Sequence, residues 1–211
     1  MNYADIDAMI EEGEGVTIEF KRKVTSPEKI ARTLIAFANS HGGNILFGVD
    51  DDGFVCGVRS EKEEVEQIQF AGNFLAEPPV LFKLHIVPYK SKKDVIVCTV
   101  FESDTKPHKI TDEKYEGDGT GVFIRERDAT LEASKEVVKV LQDARPLRLS
   151  IGENERRLFA YLEEKRTITV NEFAELINVS RRTASRSLVA LVRAGVVRIY
   201  THEKDDYFTL A

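Results

Sequence analysis

Two glutamates, Glu14 and Glu19, stand five residues apart in the stretch EGVTIEFKRK, and the second is followed by Lys21, Arg22 and Lys23. A carboxylate between Ile18 and Phe20, inside a run of β-branched and aromatic residues, has three chemical uses. It can pair with a cation on one strand face, ligate a metal ion in a nuclease, or belong to a surface that touches nucleic acid. Lys21 occupies the alternate position that shares the strand face of Glu19, which suits the ion pair. A second group of candidates lies far downstream. Arg181, Arg182, Thr183, Ser185 and Arg186 crowd into one short segment. Arginine forks bond guanine or phosphate, and hydroxyls suit phosphate.

The elements that must position these residues are legible in outline. In the first part of the chain, residues 3–12 read as a short helix and VTIEFK as a strand. SPEKIARTLIAFANSHGG is the clearest helix: Ser26 fits the N-cap, Pro27 the first helical position, and Ile30, Leu34, Phe37 and Ala38 recur at helical spacing. Gly42 and Gly43 end it, with His41 placed to favour its C-terminus. NILFGVD is expected as a buried strand, with DDG turning the chain so that FVCGV returns as its hairpin partner. A helix over residues 61–75 follows. Two strands, LFKLHIVPY and DVIVCTVFES, flank the basic turn KSKK. GVFIRE is a further strand and LEASKEVVKVLQDA a helix, and together these predict an α+β domain, a mixed sheet with packed helices, over residues 1–145.

After RPLRLSIGENE, the segments ENERRLFAYLEEKR, TVNEFAELI and RRTASRSLVALVRAG read as three helices, and VVRIYTHEKDDYFTLA as two strands about a charged turn. Three helices and a β-hairpin make a winged helix-turn-helix over residues 150–211. Ala174 permits close helix approach, Asn178 suits a left-handed turn, and Ser180 caps the next helix. Ala184, Leu188 and Leu191 form that helix's buried stripe, with Arg182, Arg186 and Arg193 opposite. DNA is therefore the expected partner, read by Arg181, Arg182, Thr183, Ser185 and Arg186. Lys204 is the only lysine or arginine in the wing THEKDD, which is otherwise poorly suited to DNA. Homodimerisation is expected, since two half-sites raise affinity. Some winged helices mediate protein contacts instead, and the acidic wing keeps that reading open.

Composition limits the alternatives. The chain has 211 residues, 42% hydrophobic and 31% charged, enough for one large domain or two modest ones. Its net charge of −6 argues against indiscriminate coating of nucleic acid. The charge is uneven: residues 150–211 hold ten Lys and Arg against nine Asp and Glu, so the acidity resides in the first part. No apolar run is long enough to cross a bilayer, and the acidic start lacks a signal-peptide layout, so a cytoplasmic location is expected. Cys56 and Cys98 have no metal-binding spacing and are expected as free thiols, while His85 and His108 are isolated. No GxxxxGK[ST] is present, and GDGTG (117–121) lacks a strand-to-helix context, so no nucleotide site and no cofactor are expected.

The first part also resembles a known family. The spacing E-x4-EFK, then AFAN (36–39), Gly42-Gly43 and GVDD (48–51), then VFIRERDAT, is similar to the Schlafen AlbA-type family, also called divergent AAA. The resemblance spans about residues 10–135 and implies a DNA-binding domain. Bacterial members with a C-terminal winged helix are described as transcriptional regulators. One departure is visible. The family usually carries Arg-x-Gly-Ser near its last strand, whereas Arg125 here precedes Glu126, Arg127 and Asp128. Nuclease members of the Schlafen branch cleave structured RNA with three carboxylates, and Glu14, Glu19 and Asp50 match those positions. The resemblance thus implies an alternative, a ribonuclease holding Mg²⁺ or Mn²⁺ on that trio, with Lys21, Arg22 and Lys23 on the nucleic-acid backbone. Glu14 would have to lie in the loop before the strand, because positions 14 and 19 face opposite sides of any one strand. Gly13 and Gly15 permit that loop.

Overall fold

Asn2 caps helix α1 (Tyr3–Glu12) by accepting the Ala4 N–H, and Asp5 closes the capping box. The computed structural model describes residues 1–90, 93–111, 119–142, 151–202 and 205–211. Strand β1 (Ile18–Lys21) leads to helix α2 (Pro27–Asn39) and strand β2 (Gly43–Phe47). Ser26 and Pro27 start α2 as the sequence indicates, and Ser26 Oγ accepts the Lys29 N–H at 3.3 Å. At the other end Gly42 has φ +68°, and a Cβ there would sit 2.7 Å from the Val100 carbonyl oxygen. Only glycine meets both demands.

Helix α3 (Glu61–Phe74), the short strand β3 (Ala76–Glu77), strands β4 (Phe82–Tyr89) and β5 (Lys93–Val100), and the short strand β6 (Lys109–Ile110) follow. The main sheet has the order β1-β2-β5-β4, with β1 parallel to β2 and the other pairs antiparallel. The parallel pair needs the α2 crossover that joins it. One sheet face, with Ile45, Phe47, Ile96 and Cys98, packs under α2 and α3. The other, with Ile18, Phe20, Leu46 and Val97, packs with Ile6 of α1. Side chains alternate along β1, so Ile18 and Phe20 join the α1 side while Glu19 and Lys21 turn to the opposite face.

Two local expectations are corrected. FVCGV does not return as a strand beside β2; the two segments share a single bridge between Val49 and Val55. Both edges of β2 are already taken by β1 and β5, and the Gly48 carbonyl instead accepts the N–H groups of Cys56 and Gly57, each at 2.9 Å. Residues expected to open a helix at Leu131 form a hairpin, β7 (Phe123–Glu126) with β8 (Ala129–Glu132), and helix α4 (Lys135–Gln142) starts after it.

The chain divides into two compact units, Met1–Glu132 and Ala133–Ala211. Helix α4 therefore groups with the C-terminal elements, ahead of the boundary near residue 145 that the sequence suggests. The second unit continues with α5 (Glu153–Lys165), α6 (Val170–Ile177), α7 (Arg181–Arg193), β9 (Val197–Tyr200) and β10 (Tyr207–Leu210). Leu158, Leu162, Phe173, Leu188, Leu191 and Phe208 fill its core. A bridge between Ile168 and Phe208 ties the chain before α6 to the hairpin. The α+β first unit and the C-terminal helix-turn-helix are as expected from the sequence. No helix among the described residues is long and apolar enough to cross a membrane.

Candidate nucleic-acid interface

The turn between α6 and α7 sets how α7 is presented. Thr169 and Glu172 close a capping box at the start of α6. Asn178 ends that helix at φ 54° and ψ 54°, the left-handed conformation that asparagine tolerates better than most residues. Ser180 Oγ then accepts the Thr183 N–H at 3.2 Å and starts α7. Ala184, Leu188 and Leu191 are buried beneath α7 as their spacing predicts. Arg181, Arg182, Thr183 and Arg186 are exposed, so the first two turns of α7 offer guanidinium and hydroxyl groups to solvent. The Thr183 hydroxyl also lies 2.9 Å from Ser180 Oγ, which holds it close to the cap.

Ser185 is a correction. It is buried rather than available to DNA, because α4 covers that side of α7. Its hydroxyl donates to Glu136 Oε1 at 2.6 Å, and Lys139 Nζ lies 3.1 Å away. Burial works to raise the Glu136 carboxyl, but the Ser185 hydroxyl, with Lys139 and Arg181, outweighs it and holds the carboxyl below the usual range. Nearby, Ser134 bonds Asp206, whose carboxyl is raised chiefly by burial. The helix α4 brings a cation that the sequence did not single out. Lys139, Arg186 and Arg193 line one shallow groove between α4 and α7. Lys204, expected in the wing, lies outside the described residues.

The Glu136 contact carries a pH prediction. A carboxyl depressed on folding contributes stability above its unfolded value near 4.5, and that contribution is lost as pH falls through the folded value. Asp206, raised by burial, acts with the opposite sign. Replacing Glu136 by alanine should therefore cost the second unit about 1–2 kcal/mol at pH 7, and the difference from wild type should shrink below about pH 4. Thermal unfolding across pH checks this; a difference that does not change with pH would remove the carboxylate's charge from the account.

In the first unit, Glu19 sits at the centre of a buried network. Lys21 Nζ pairs with Glu19 Oε1 on the shared strand face. Arg125 Nη1 bonds Glu19 Oε2 at 2.6 Å, and the Arg125 side chain is fully buried. Arg125 also bonds the Gly15 carbonyl at 2.7 Å and Thr130 Oγ1 at 3.1 Å, and its guanidinium lies 4.8 Å from the Phe37 ring centroid. The departure from Arg-x-Gly-Ser thus leaves an arginine that serves the fold. Its signal in the sequence was parity: Arg125 shares the inward face of β7 with Phe123.

The carboxylate trio is not a preformed metal site. Glu14 does lie in the loop before β1, exposed, but its Oε1 accepts the Phe20 N–H at 2.8 Å. Both oxygens of Glu19 are held by cations. Asp50 faces Arg22 at 3.7 Å in the loop after β2. Among the described residues no three of His, Cys, Asp and Glu are grouped to hold a metal ion. Of the three carboxylates that the resemblance offers as an alternative metal site, Glu19 is thus committed to an ion pair, while Glu14 holds a backbone N–H and Asp50 faces Arg22.

Of the three cations after Glu19, Lys21 is tied to that ion pair, while Arg22 and Lys23 are exposed. Arg22 and Lys23 line a groove with Arg59, Cys56 and Glu64. The Cys56 thiol donates to the Gly48 carbonyl at 3.3 Å. Burial first, and then Asp50, push that thiol up, so it stays protonated. The basic strip thus survives as two cations joined by Arg59.

A family model described as Schlafen, AlbA_2 matches residues 14–134, more than half of the chain, and one described as a helix-turn-helix domain matches residues 153–200. No curated protein matches the sequence. Among solved structures, the chain is similar to the DIP2311 protein of Corynebacterium diphtheriae, with a TM-score of 0.46 and 12% identity. That alignment covers 66% of this chain but only 27% of DIP2311. The N-terminal domain of a RecG-related protein from Nitrosomonas europaea is similar with a TM-score of 0.44 and 19% identity, over 70% of this chain and 95% of that one.

Proposed function

This chain belongs to the Schlafen AlbA_2 family and carries a C-terminal helix-turn-helix domain, and from that premise we propose that it is a DNA-binding transcriptional regulator. The observation that carries the reading is the asymmetry of α7. Arg181, Arg182, Thr183 and Arg186 are exposed on its first two turns, while Ala184, Ser185 and Leu188 are packed away. A recognition helix reads base edges with its N-terminal side chains, and its N-terminal N–H groups favour phosphate. Lys139 and Arg193 extend the positive surface along the groove beside Arg186. In the first unit, Arg22, Lys23 and Arg59 supply contact to the sugar-phosphate backbone without reading sequence. The protein acts as a homodimer, so that two recognition helices read two half-sites of one operator.

Selection from a pool of random duplexes tests this. The full chain should enrich a site with two related half-sites separated by a whole number of helical turns. A pool that emerges without enrichment would overturn sequence-specific DNA binding.

A further inference from the structure

Helix α4 brings more to α7 than a cover for Ser185. Successive residues of an α-helix stand about 100° apart. Ser185 therefore lies a little over a quarter turn from Ala184 on the buried side of α7, and the same from Arg186 on its exposed side. A helix packed on Ser185 flanks α7; it neither stands behind it nor shields its outer face. Lys135, Lys139 and Gln142 are exposed and follow one another at steps of four and three residues, so they share one stripe of α4. Lys139 and Gln142, at one end of that stripe, border the groove that Arg186 and Arg193 line from α7.

The charge on this pair of helices is one-sided. α4 and α7 carry six cations, Lys135, Lys139, Arg181, Arg182, Arg186 and Arg193, against one acid, Glu136, in a chain whose net charge is −6. Glu136 is turned inward to Ser185, its side chain 15% exposed, whereas that of Lys139 is 46% exposed. Lys139 donates to Ser185 Oγ and faces Glu136 at 3.6 Å, and an ammonium group has three donors, so one remains for a ligand. Lys135 has no hydrogen-bond or ion-pair partner among the described residues.

We propose that α4 is part of the DNA interface: Lys135, Lys139 and Gln142 hold the sugar-phosphate backbone of duplex DNA along one rim of the major groove that α7 enters, with one phosphate seated between Lys139 and Arg186. The dimensions support this placement. A helix with its side chains is about 10–12 Å across and the major groove is about 12 Å wide, so α7 alone fills it. Packed helices have axes about 8–10 Å apart, which sets a flanking α4 over the edge of the groove, where the phosphates run. Such contacts carry no sequence information; they fix the register of α7 on the duplex. Helix α4 lies between the two matched stretches, 14–134 and 153–200, so neither of them contains this grip. The inference rests on the DNA-binding reading and adds to it the part of the duplex that α4 takes.

Salt titration of the full chain on its selected duplex, with Lys135→Gln and Lys139→Gln measured singly and together, tests it. Lys135→Gln leaves the packing of α4 on α7 intact, and its circular dichroism melt should match wild type. Lys139→Arg keeps the charge beside Ser185 and should keep the wild-type slope. Each glutamine variant should lower the slope of log affinity against log salt by about 1 and the pair by about 2, with the ranking of altered sites unchanged. Ethylation of DNA phosphates provides a second readout: wild type should show interference at backbone positions on one rim of each half-site, and the double variant should lose it. A wild type that binds its site, with slope and interference unchanged in both glutamine variants, would overturn the role of α4 and leave α7 as the reading element. Slopes that fall while the interference pattern stays the same would reduce α4 to a general field and remove the seated phosphate. Inorganic phosphate that shifts the Lys139 side-chain resonances at constant ionic strength, with the DNA slopes unchanged, would make the groove a small-anion site instead and would also overturn the inference. A chain that binds no duplex would overturn this grip and the DNA-binding reading together.

Discussion

Replacing Arg182 and Arg186 together by alanine should weaken binding to the selected DNA site by about a hundredfold or more at physiological salt. Both side chains are exposed on the first two turns of α7, and neither supports the core beneath it. An arginine forked on guanine is worth about 1–3 kcal/mol of discrimination. One set on phosphate instead contributes through released counterions, and removing it lowers the slope of log affinity against log salt by about 1. The salt titration therefore separates the roles. A double variant that binds more weakly with an unchanged slope is missing base contacts; one whose slope falls by about 2 is missing phosphate contacts. Arg156→Ala with Lys165→Ala removes the same charge from exposed positions of α5 and controls for the general field. Fluorescence anisotropy across salt makes the measurement. Equal affinities of wild type and the α7 double variant would remove α7 as the reading element.

Arg125→Ala should cost the first unit about 3–5 kcal/mol. The change strips a buried carboxylate, Glu19, of one of its two cations and leaves the Gly15 carbonyl and Thr130 hydroxyl without their guanidinium partner. Breaking a buried pair from one side is expensive because the remaining charge stays desolvated. Removing both charges is different. Glu19→Leu with Arg125→Met should recover most of the loss, since apolar residues of similar volume replace buried pairs at little cost. Urea unfolding of the wild type, Arg125→Ala and the double variant makes the comparison. A loss below about 1 kcal/mol in Arg125→Ala would show that Lys21 alone satisfies Glu19.

Much of the fold is legible in the sequence because local chemistry decides it. Ser26, Pro27 and Gly42 mark α2, and Asn178 with Ser180 marks the turn before α7; each acts through the backbone within a few residues. The pairing of Glu19 with Lys21 is legible for the same reason, as two positions on one strand face. The FVCGV hairpin fails because strand pairing is a competition. β1 and β5 take both edges of β2, and nothing in the neighbouring residues announces partners that distant. Ser185 fails as a DNA contact on similar grounds. It does lie on α7, but α4, about fifty residues earlier in the chain, covers it.

The sequence by itself determined the two-part organisation, the helix-turn-helix and the exposed arginines of α7, because periodicity, caps and turns are short-range and additive. Only the tertiary structure decided which charges remain free to act. Arg125, over a hundred residues from Glu19, closes on it and turns a candidate catalytic acid into the buried half of an ion pair. Glu136 takes up the Ser185 hydroxyl and withdraws it from the surface of α7. Desolvation and pairing depend on what else arrives at the same place, and that is a property of the whole packed chain.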